Sequence, residues 1–276
     1  MFKLGTSGFS YPDWKGNVYP QKLQPKNALK YYEQELGFDC VEINSTYYNL
    51  VPPNVFKNMA EKTEKDFEFV VKAYRGITHN LFDDRLKNKK PTKEQAINDC
   101  DKFIRSLNPL REANKLGCVL LQFPVFFPAT NQSKDYILEC KEHFYDIPIA
   151  VEFRNKERAA PETFDFLRKN NLGYCAVDEP KLERLMPAIY EVTSDIAYLR
   201  FHGRNKNWFN APVKERYDYL YSDNELKEFI PRIKEMDKKA KKMYLFFNNC
   251  ANGQSVKNAR TLKEMLTIKT KKHTLF

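Results

Sequence analysis

With 276 residues, 42% of them hydrophobic, the chain is near the roughly 250 residues typical of one α/β barrel and long enough to bury a core without disulfide staples. Lys+Arg number 46 against 36 Asp+Glu, a net charge of +10 that favours anionic partners through the summed field without naming one. No run of about 18 uncharged apolar residues occurs and Met1 to Gly8 lacks the apolar stretch of a signal peptide, so a membrane span and a secretory leader are not expected; the reading is a soluble, cytoplasmic protein.

Eight short apolar runs punctuate the chain, each closing on a polar or charged residue. They are Phe2 to Thr6, Cys40 to Asn44, Phe67 to Lys72, Cys118 to Gln122, Ile149 to Arg154, Tyr174 to Asp178, Ile196 to His202 and Met243 to Asn249. Helical patterns or long loops separate them. Thr92 with Gln95, and Ser222 with Glu225, have the spacing of capping boxes, which fixes two helix starts. Pro53 and Pro161 suit first turns, where a missing N–H breaks no intrahelical bond. Gly37, Gly117 and Gly173 stand ahead of runs, placed to end the preceding helix in a left-handed turn. Ile97, Cys100, Ile104 and Leu107 share one helical face, as do Leu226, Phe229, Ile230 and Ile233, and such faces cover a barrel wall. Pro231 interrupts the second face, which predicts a kink or a later start. Between Asp178 and Ile196, Pro180 and Pro187 leave room for a short helix or none. Eight strand–helix units in one domain, residues 1–276, make a (β/α)8 TIM-like barrel whose C-terminal strand ends and following loops form the reactive face.

The six cysteines show no CxxC spacing and no clustering with histidine, so they read as reduced thiols, several packed as small hydrophobes. The basic clusters Lys87 to Lys93, Lys238 to Lys242 and Lys269 to Lys272 read as solvated faces. Two connections exceed the usual few residues, Ser7 to Lys26 and Gly203 to Ser222, and both are rich in aromatics. Together with Tyr47 they offer Trp14 and Trp208 as rings that wall a pocket for a sugar, base or other flat ligand, against the plainer role of packing loops onto the barrel.

Strand alternation puts Glu42 with Asn44, Glu152 with Arg154, and Arg200 with His202 on one side each, and lone charges are costly inside a barrel. Lys72, Gln122, Asp178 and Asn248 close four other runs. If these converge, the mouth holds carboxylates, cations, a histidine and amides, enough for acid–base chemistry on an anionic substrate. Glu152 is the leading proton-transfer residue, because Val151 and Phe153 bury its strand and move its carboxyl toward working pH; His202 is its partner. Lys72 and Arg154 stabilise negative charge, with Lys72 also an amine nucleophile if desolvated. Asn44, Glu42, Gln122, Asp178 and Asn248 orient substrate. The structural alternative is a salt-bridge network that satisfies itself, the likelier role for Arg200. His79 and His143 fall in loop or helix context and read as surface residues, and Ser7 in Gly5-Thr6-Ser7-Gly8 is not a nucleophile elbow. Arg204 after the seventh run and Asn252, Gly253 and Gln254 after the eighth offer an anion site at a helix start. Glu42, Glu152, Asp178 and His202 form a mixed ligand set for a divalent metal, though no HxH or HExxH supports one and no cofactor is predicted.

Gly5-Thr6-Ser7-Gly8-Phe9-Ser10-Tyr11 with Trp14, Val41 to Tyr48, Phe69 to Lys72, Leu120 to Pro124, Val151 to Arg154, Leu199 to Gly203, and Asn248-Asn249 with Asn252 to Gln254 together resemble the YecE-like proteins, catalogued as domain of unknown function 72. The resemblance spans nearly the whole chain and implies a (β/α)8-like barrel of an enzyme family without an assigned substrate. Where many members carry a tryptophan soon after the strand-five arginine, this chain has Asn155-Lys156-Glu157.

The combined reading is a barrel enzyme, a hydrolase, lyase or isomerase, acting on a small anionic or sugar-like, sometimes phosphorylated, substrate by general acid–base catalysis. One alternative is a nucleic-acid-associated protein using its basic exterior and its tail, whose Leu275-Phe276 end is similar to that of a sliding-clamp-binding peptide. Another is a metal-dependent hydrolase or isomerase.

Overall fold

Every one of the eight apolar runs becomes a strand, within two residues at each end. The computed structural model describes residues 2–271. The strands are β1 Phe2–Thr6, β2 Cys40–Ile43, β3 Glu68–Lys72, β4 Leu116–Gln122, β5 Ile149–Glu152, β6 Gly173–Asp178, β7 Ile196–Phe201 and β8 Lys242–Phe247. All pair in parallel in the order β1-β8-β7-β6-β5-β4-β3-β2, and a bridge between Ser7 and Glu42 draws β1 against β2 to close the ring. The helices are α1 Ala28–Gln34, α2 Pro53–Glu61, α3 Arg75–Thr78, α4 Lys93–Glu112, α5 Asn131–Phe144, α6 Pro161–Lys169, α7 Val213–Arg216, α8 Asp223–Lys239 and α9 Gln254–Lys271. None is long and apolar enough to cross a membrane among the described residues.

The local signals act as their chemistry requires. The side chains of Thr92 and Ser222 each accept from the backbone N–H three residues on, and their own N–H groups donate back to the Gln95 and Glu225 side chains, completing the capping boxes of α4 and α8. Pro53 and Pro161 open α2 and α6. Because the Ser222 cap fixes its start, α8 begins at Asp223 and carries Pro231 inside, so the later start does not occur. No helix forms between β6 and β7. Of the three glycines, Gly37 takes the left-handed turn at φ 74°; before β4 and β6 that conformation falls to Asn114 (φ 55°) and Asn171 (φ 48°) instead. Asparagine tolerates this region better than other side chains, which frees Gly117 and Gly173 to enter the strands.

Gly117 is needed for closeness. A Cβ there would collide with the Tyr244 hydroxyl and come within 3.2 Å of Glu68 Oε2. Those two groups are bonded to each other, and Glu68 also takes Lys242 Nζ at 2.9 Å and Lys3 Nζ at 3.3 Å, a cluster around the N-terminal strand ends. Gly117→Ala is expected to destabilise the protein by about 1–3 kcal/mol through overpacking. Urea unfolding checks this, and an unchanged midpoint would contradict it.

Outward strand residues pack on the helices: Leu226, Phe229, Ile230 and Ile233 of α8 are all buried, and Phe229 meets Phe201 edge to face at 4.9 Å. On α4, Cys100 and Leu107 are buried and Ile97 and Ile104 partly so. All six cysteines are buried and unpaired. The described basic clusters are tied into surface ion pairs, Lys90 with Asp84 and Lys241 with Asp195 among them, as a solvated face requires.

Candidate functional site

Alternation along β7 drives Tyr198, Arg200 and His202 inward as a ladder, and each meets a carboxylate-bearing neighbour at a different depth. Deepest, the Tyr198 hydroxyl donates to Glu42. One level up, Arg200 spans the barrel, its Nη2 on Glu42 Oε1 at 2.7 Å and its Nη1 on Glu152 Oε2 at 2.6 Å. Glu42, Glu152 and His202 have no solvent exposure and Arg200 retains 1%. Burial alone would raise the Glu152 carboxyl, but the Arg154 and Arg200 guanidiniums outweigh it and hold the group well below the usual carboxylate range. This layer is a charge lattice.

The mouth layer rests on that lattice. Arg154 pairs through Nε with Glu152, donates through Nη1 to Glu179 Oε2 at 2.9 Å, and places Nη2 3.0 Å from His202 Nε2. A guanidinium only donates, so toward Arg154 that imidazole nitrogen is the acceptor. Nδ1 lies 3.0 Å from the Asn248 amide nitrogen, and Glu152 Oε1 is a looser neighbour of Nε2 at 3.4 Å. Burial, then the Arg154 charge, keeps His202 neutral, its pKa well below the usual imidazole value. Trp208 and Tyr217, both from the loop after β7, lie over this group: their rings are 5.2 Å apart, Trp208 is 5.9 Å from the Arg154 guanidinium, and Tyr217 is 5.9 Å from His202.

Across the mouth, Lys72 ends β3. Its amine donates to Gln122 Oε1 at 2.6 Å and stands 4.4 Å over the Tyr47 ring. Among the described residues no carboxylate lies within ion-pair distance of it. Part of its surface stays open to solvent. Burial and then the Arg200 charge lower its pKa to about 7. His79, arriving from the end of α3, sets Nε2 3.5 Å from Gln122 Nε2 and packs edge-on against Tyr47, and burial with the Lys72 charge lowers it to about 3. Asn44 Oδ1 is buried with no protein partner at the end of β2.

Residues 3–275 match the family described as "Protein of unknown function DUF72". The chain belongs to the DUF72 family. A DUF72 family protein from Thermotoga maritima has 44% identity, with a TM-score of 0.87 over 97% of this chain and 99% of its own. The UPF0759 protein YunF of Bacillus subtilis is 30% identical over 97% of this chain and 95% of its length. The 3-keto-D-glucoside 4-epimerase YcjR of Escherichia coli is 9% identical with a TM-score of 0.51 over 95% of this chain and 98% of its own, a likeness of fold alone.

Within this DUF72 protein, several expected site residues take other roles. The surroundings do not favour the expected proton exchange between Glu152 and His202: two guanidiniums hold the carboxyl below its usual range, and burial holds the imidazole below its own. Asp178 turns away from the mouth, held by Arg204 Nε at 3.0 Å and the Tyr221 hydroxyl at 2.6 Å, and the next residue, Glu179, faces Arg154 instead. That reversal dissolves the expected metal set of Glu42, Glu152, Asp178 and His202, and no three metal-ligand side chains group together among the described residues. The anion site is likewise filled from within. Arg204 is spent on Asp178 and Glu225, the Asn252 N–H donates to Asp13 Oδ2 at 2.6 Å, and Gln254 Nε2 donates to Asp218 at 2.6 Å, while Gly253 closes the turn between them. Trp14 is a structural ring, fully buried, with Nε1 on the Cys250 carbonyl at 2.8 Å. The Leu275-Phe276 end lies outside the described residues. His143 bonds Asp101 on the helical exterior as expected, but His79 belongs to the mouth.

Two mouth residues, Glu179 and His79, have no site role in the sequence reading. Glu179 follows the strand, and its parity with Cys175, whose Sγ lies 3.7 Å from Glu152 Oε2, is the signal that marks its side as inward. Burial raises its carboxyl to about 7 against the pull of Arg154. His79 has no comparable signal, because the loop after β3 brings it in.

Proposed function

We propose that the barrel mouth of this DUF72 protein is the active site of an enzyme acting on a small sugar-like or anionic substrate, with Lys72 as the group that moves the proton. One observation carries the reading: a lysine at a C-terminal strand end, part of whose surface is open to solvent, has its amine hydrogen-bonded to a neutral amide, with no carboxylate paired to it among the described residues. The charges of Glu152, Arg154 and Arg200 are paired and supply a fixed field, while Lys72 alternates between base and acid near neutrality. Arg154 brings a positive charge to the opposite wall, where charge developing on a substrate oxygen would be held. Asn44, Gln122 and Asn248 are amides suited to hydroxyl groups, and Tyr47 and Trp208 give flat apolar walls for a carbon skeleton.

The test is titration calorimetry of wild type and Lys72→Met against a panel of hydroxy acids, oxo acids, sugar acids and free sugars. At least one compound is expected to bind the wild type and to lose about tenfold or more in affinity, roughly 1.4 kcal/mol, in the variant. Undiminished binding by the variant, or no binding across the panel, would contradict the proposal.

A further inference from the structure

We infer that Lys72 is a covalent nucleophile, condensing through its amine with the carbonyl carbon of a small aldehyde or ketone seated at the mouth to form an imine. This rests on the reading of the mouth as a small-molecule site, narrows its substrate class to carbonyl compounds, and for that class gives the amine bond formation in place of proton transfer. Four features of the geometry converge on it. The amine is fixed, not swinging: Gln122 Oε1 takes one N–H at 2.6 Å and the Tyr47 face lies under the nitrogen at 4.4 Å, so the remaining direction of the lone pair is set. No counter-ion has to be displaced before attack, because its described partner is an amide. Part of the residue is open to solvent, so a ligand can reach it. Arg154 is a charged neighbour of the amine, and its field favours negative charge gathering on the carbonyl oxygen.

The charge environment serves both ends of the reaction. Arg200 and Arg154, with burial, favour the neutral amine that attacks; Glu152 and Glu42 favour a cation at the same nitrogen, which is the charge of the protonated imine. The step balances without any redox partner. The amine lone pair forms the C–N bond, the carbonyl π pair moves to oxygen, and a proton passes from nitrogen to that oxygen to give a carbinolamine. Protonation of that hydroxyl and loss of water then leave the protonated imine, which returns the proton when it becomes neutral. The net change is amine plus carbonyl to imine plus water.

The experiment incubates the protein at pH 7 with sodium cyanoborohydride and, separately, glyceraldehyde, dihydroxyacetone, glyoxylate or pyruvate, followed by peptide mass mapping and a melting curve for each compound. The expected result is a reduced adduct on Lys72, the ligand mass less one oxygen atom, formed about tenfold or more faster than on surface lysines, which stay protonated at this pH. The sugar and oxo-acid arms separate the two sources of the carbonyl by which of them labels fastest. Lys72→Arg, which keeps the charge and the packing, is expected to lose that adduct and leave surface labelling unchanged. A compound that raises the melting temperature of the wild type without labelling Lys72 overturns the covalent step and leaves the mouth as a binding site. Labelling of Lys72 no faster than surface lysines overturns it too, and absence of both stabilisation and labelling in every arm overturns this inference together with the proposed function.

Discussion

Replacing Arg200 with methionine is expected to lower the free energy of unfolding by about 3–5 kcal/mol, the cost of leaving buried charges without their partner. The guanidinium is the only link among the described residues between Glu42 and Glu152, two carboxylates sealed from water in the barrel interior. Without it Glu42 keeps the Tyr198 hydroxyl and Glu152 keeps Arg154, so one carboxylate has to take up a proton or draw in water. The triple change Glu42→Gln, Arg200→Met, Glu152→Gln removes one cation and two anions together and is expected to recover only part of the loss, since Arg154 then faces Glu179 alone. Denaturant unfolding of both variants at pH 7 checks this. A loss below about 1 kcal/mol for Arg200→Met would mean that the lattice is not what holds the mouth in place.

Lys72→Met carries the opposite sign. Removing a desolvated ammonium is expected to stabilise the fold by something on the order of 2 kcal/mol near pH 6, the pattern of a site where function costs stability. Below about 7 the lysine is charged in both folded and unfolded chains, and the folded state bears the full cost of burying it. Between there and about 10.4 the folded amine is neutral while the unfolded one still holds its proton. The unfolded state then binds more protons, so wild-type stability rises with pH and the advantage of the variant shrinks. The groups facing the amine are Glu42 and Tyr47 from β2 and its loop, His79 from α3, Glu152 and Arg154 from β5 and its end, and Arg200 from β7. Of these, His79 has already lost its proton by about pH 3, and Glu152, Arg154 and Arg200 keep their charge across the window, so the difference between the two proteins isolates Lys72. Paired urea curves at pH 6 and pH 9.5 measure it, and a gap that does not change with pH would contradict the account.

The barrel was legible because its signal is local: a strand buried on both faces must be an uninterrupted apolar run, and the caps at Thr92 and Ser222 act within three residues of themselves. Inward pairing was legible for the same reason, since Glu42, Glu152, Arg154, Arg200 and His202 are related by the two-residue period. Their roles were not. Whether Glu152 titrates near neutrality depends on two guanidiniums, one two residues away and one forty-eight, and the apolar neighbours in its own strand point the other way. Asp178 and Glu179 differ by one step of parity, which a run boundary does not fix. The anion site after β8 was lost to Asp13, which reaches Asn252 from the other end of the chain. Trp14 and Trp208 have the same composition signal; only contacts separate a ring that anchors a loop on Cys250 from one that roofs Arg154.

The most direct test of the central claim is a ¹³C NMR titration of the protein with its lysines reductively methylated, the Lys72 resonance being assigned by its absence from Lys72→Arg. Lys72 is expected to titrate at about 7, apart from exposed lysines near 10.4. A Lys72 resonance that titrates with the exposed lysines would contradict the account, because the amine would then be a fixed cation at neutral pH.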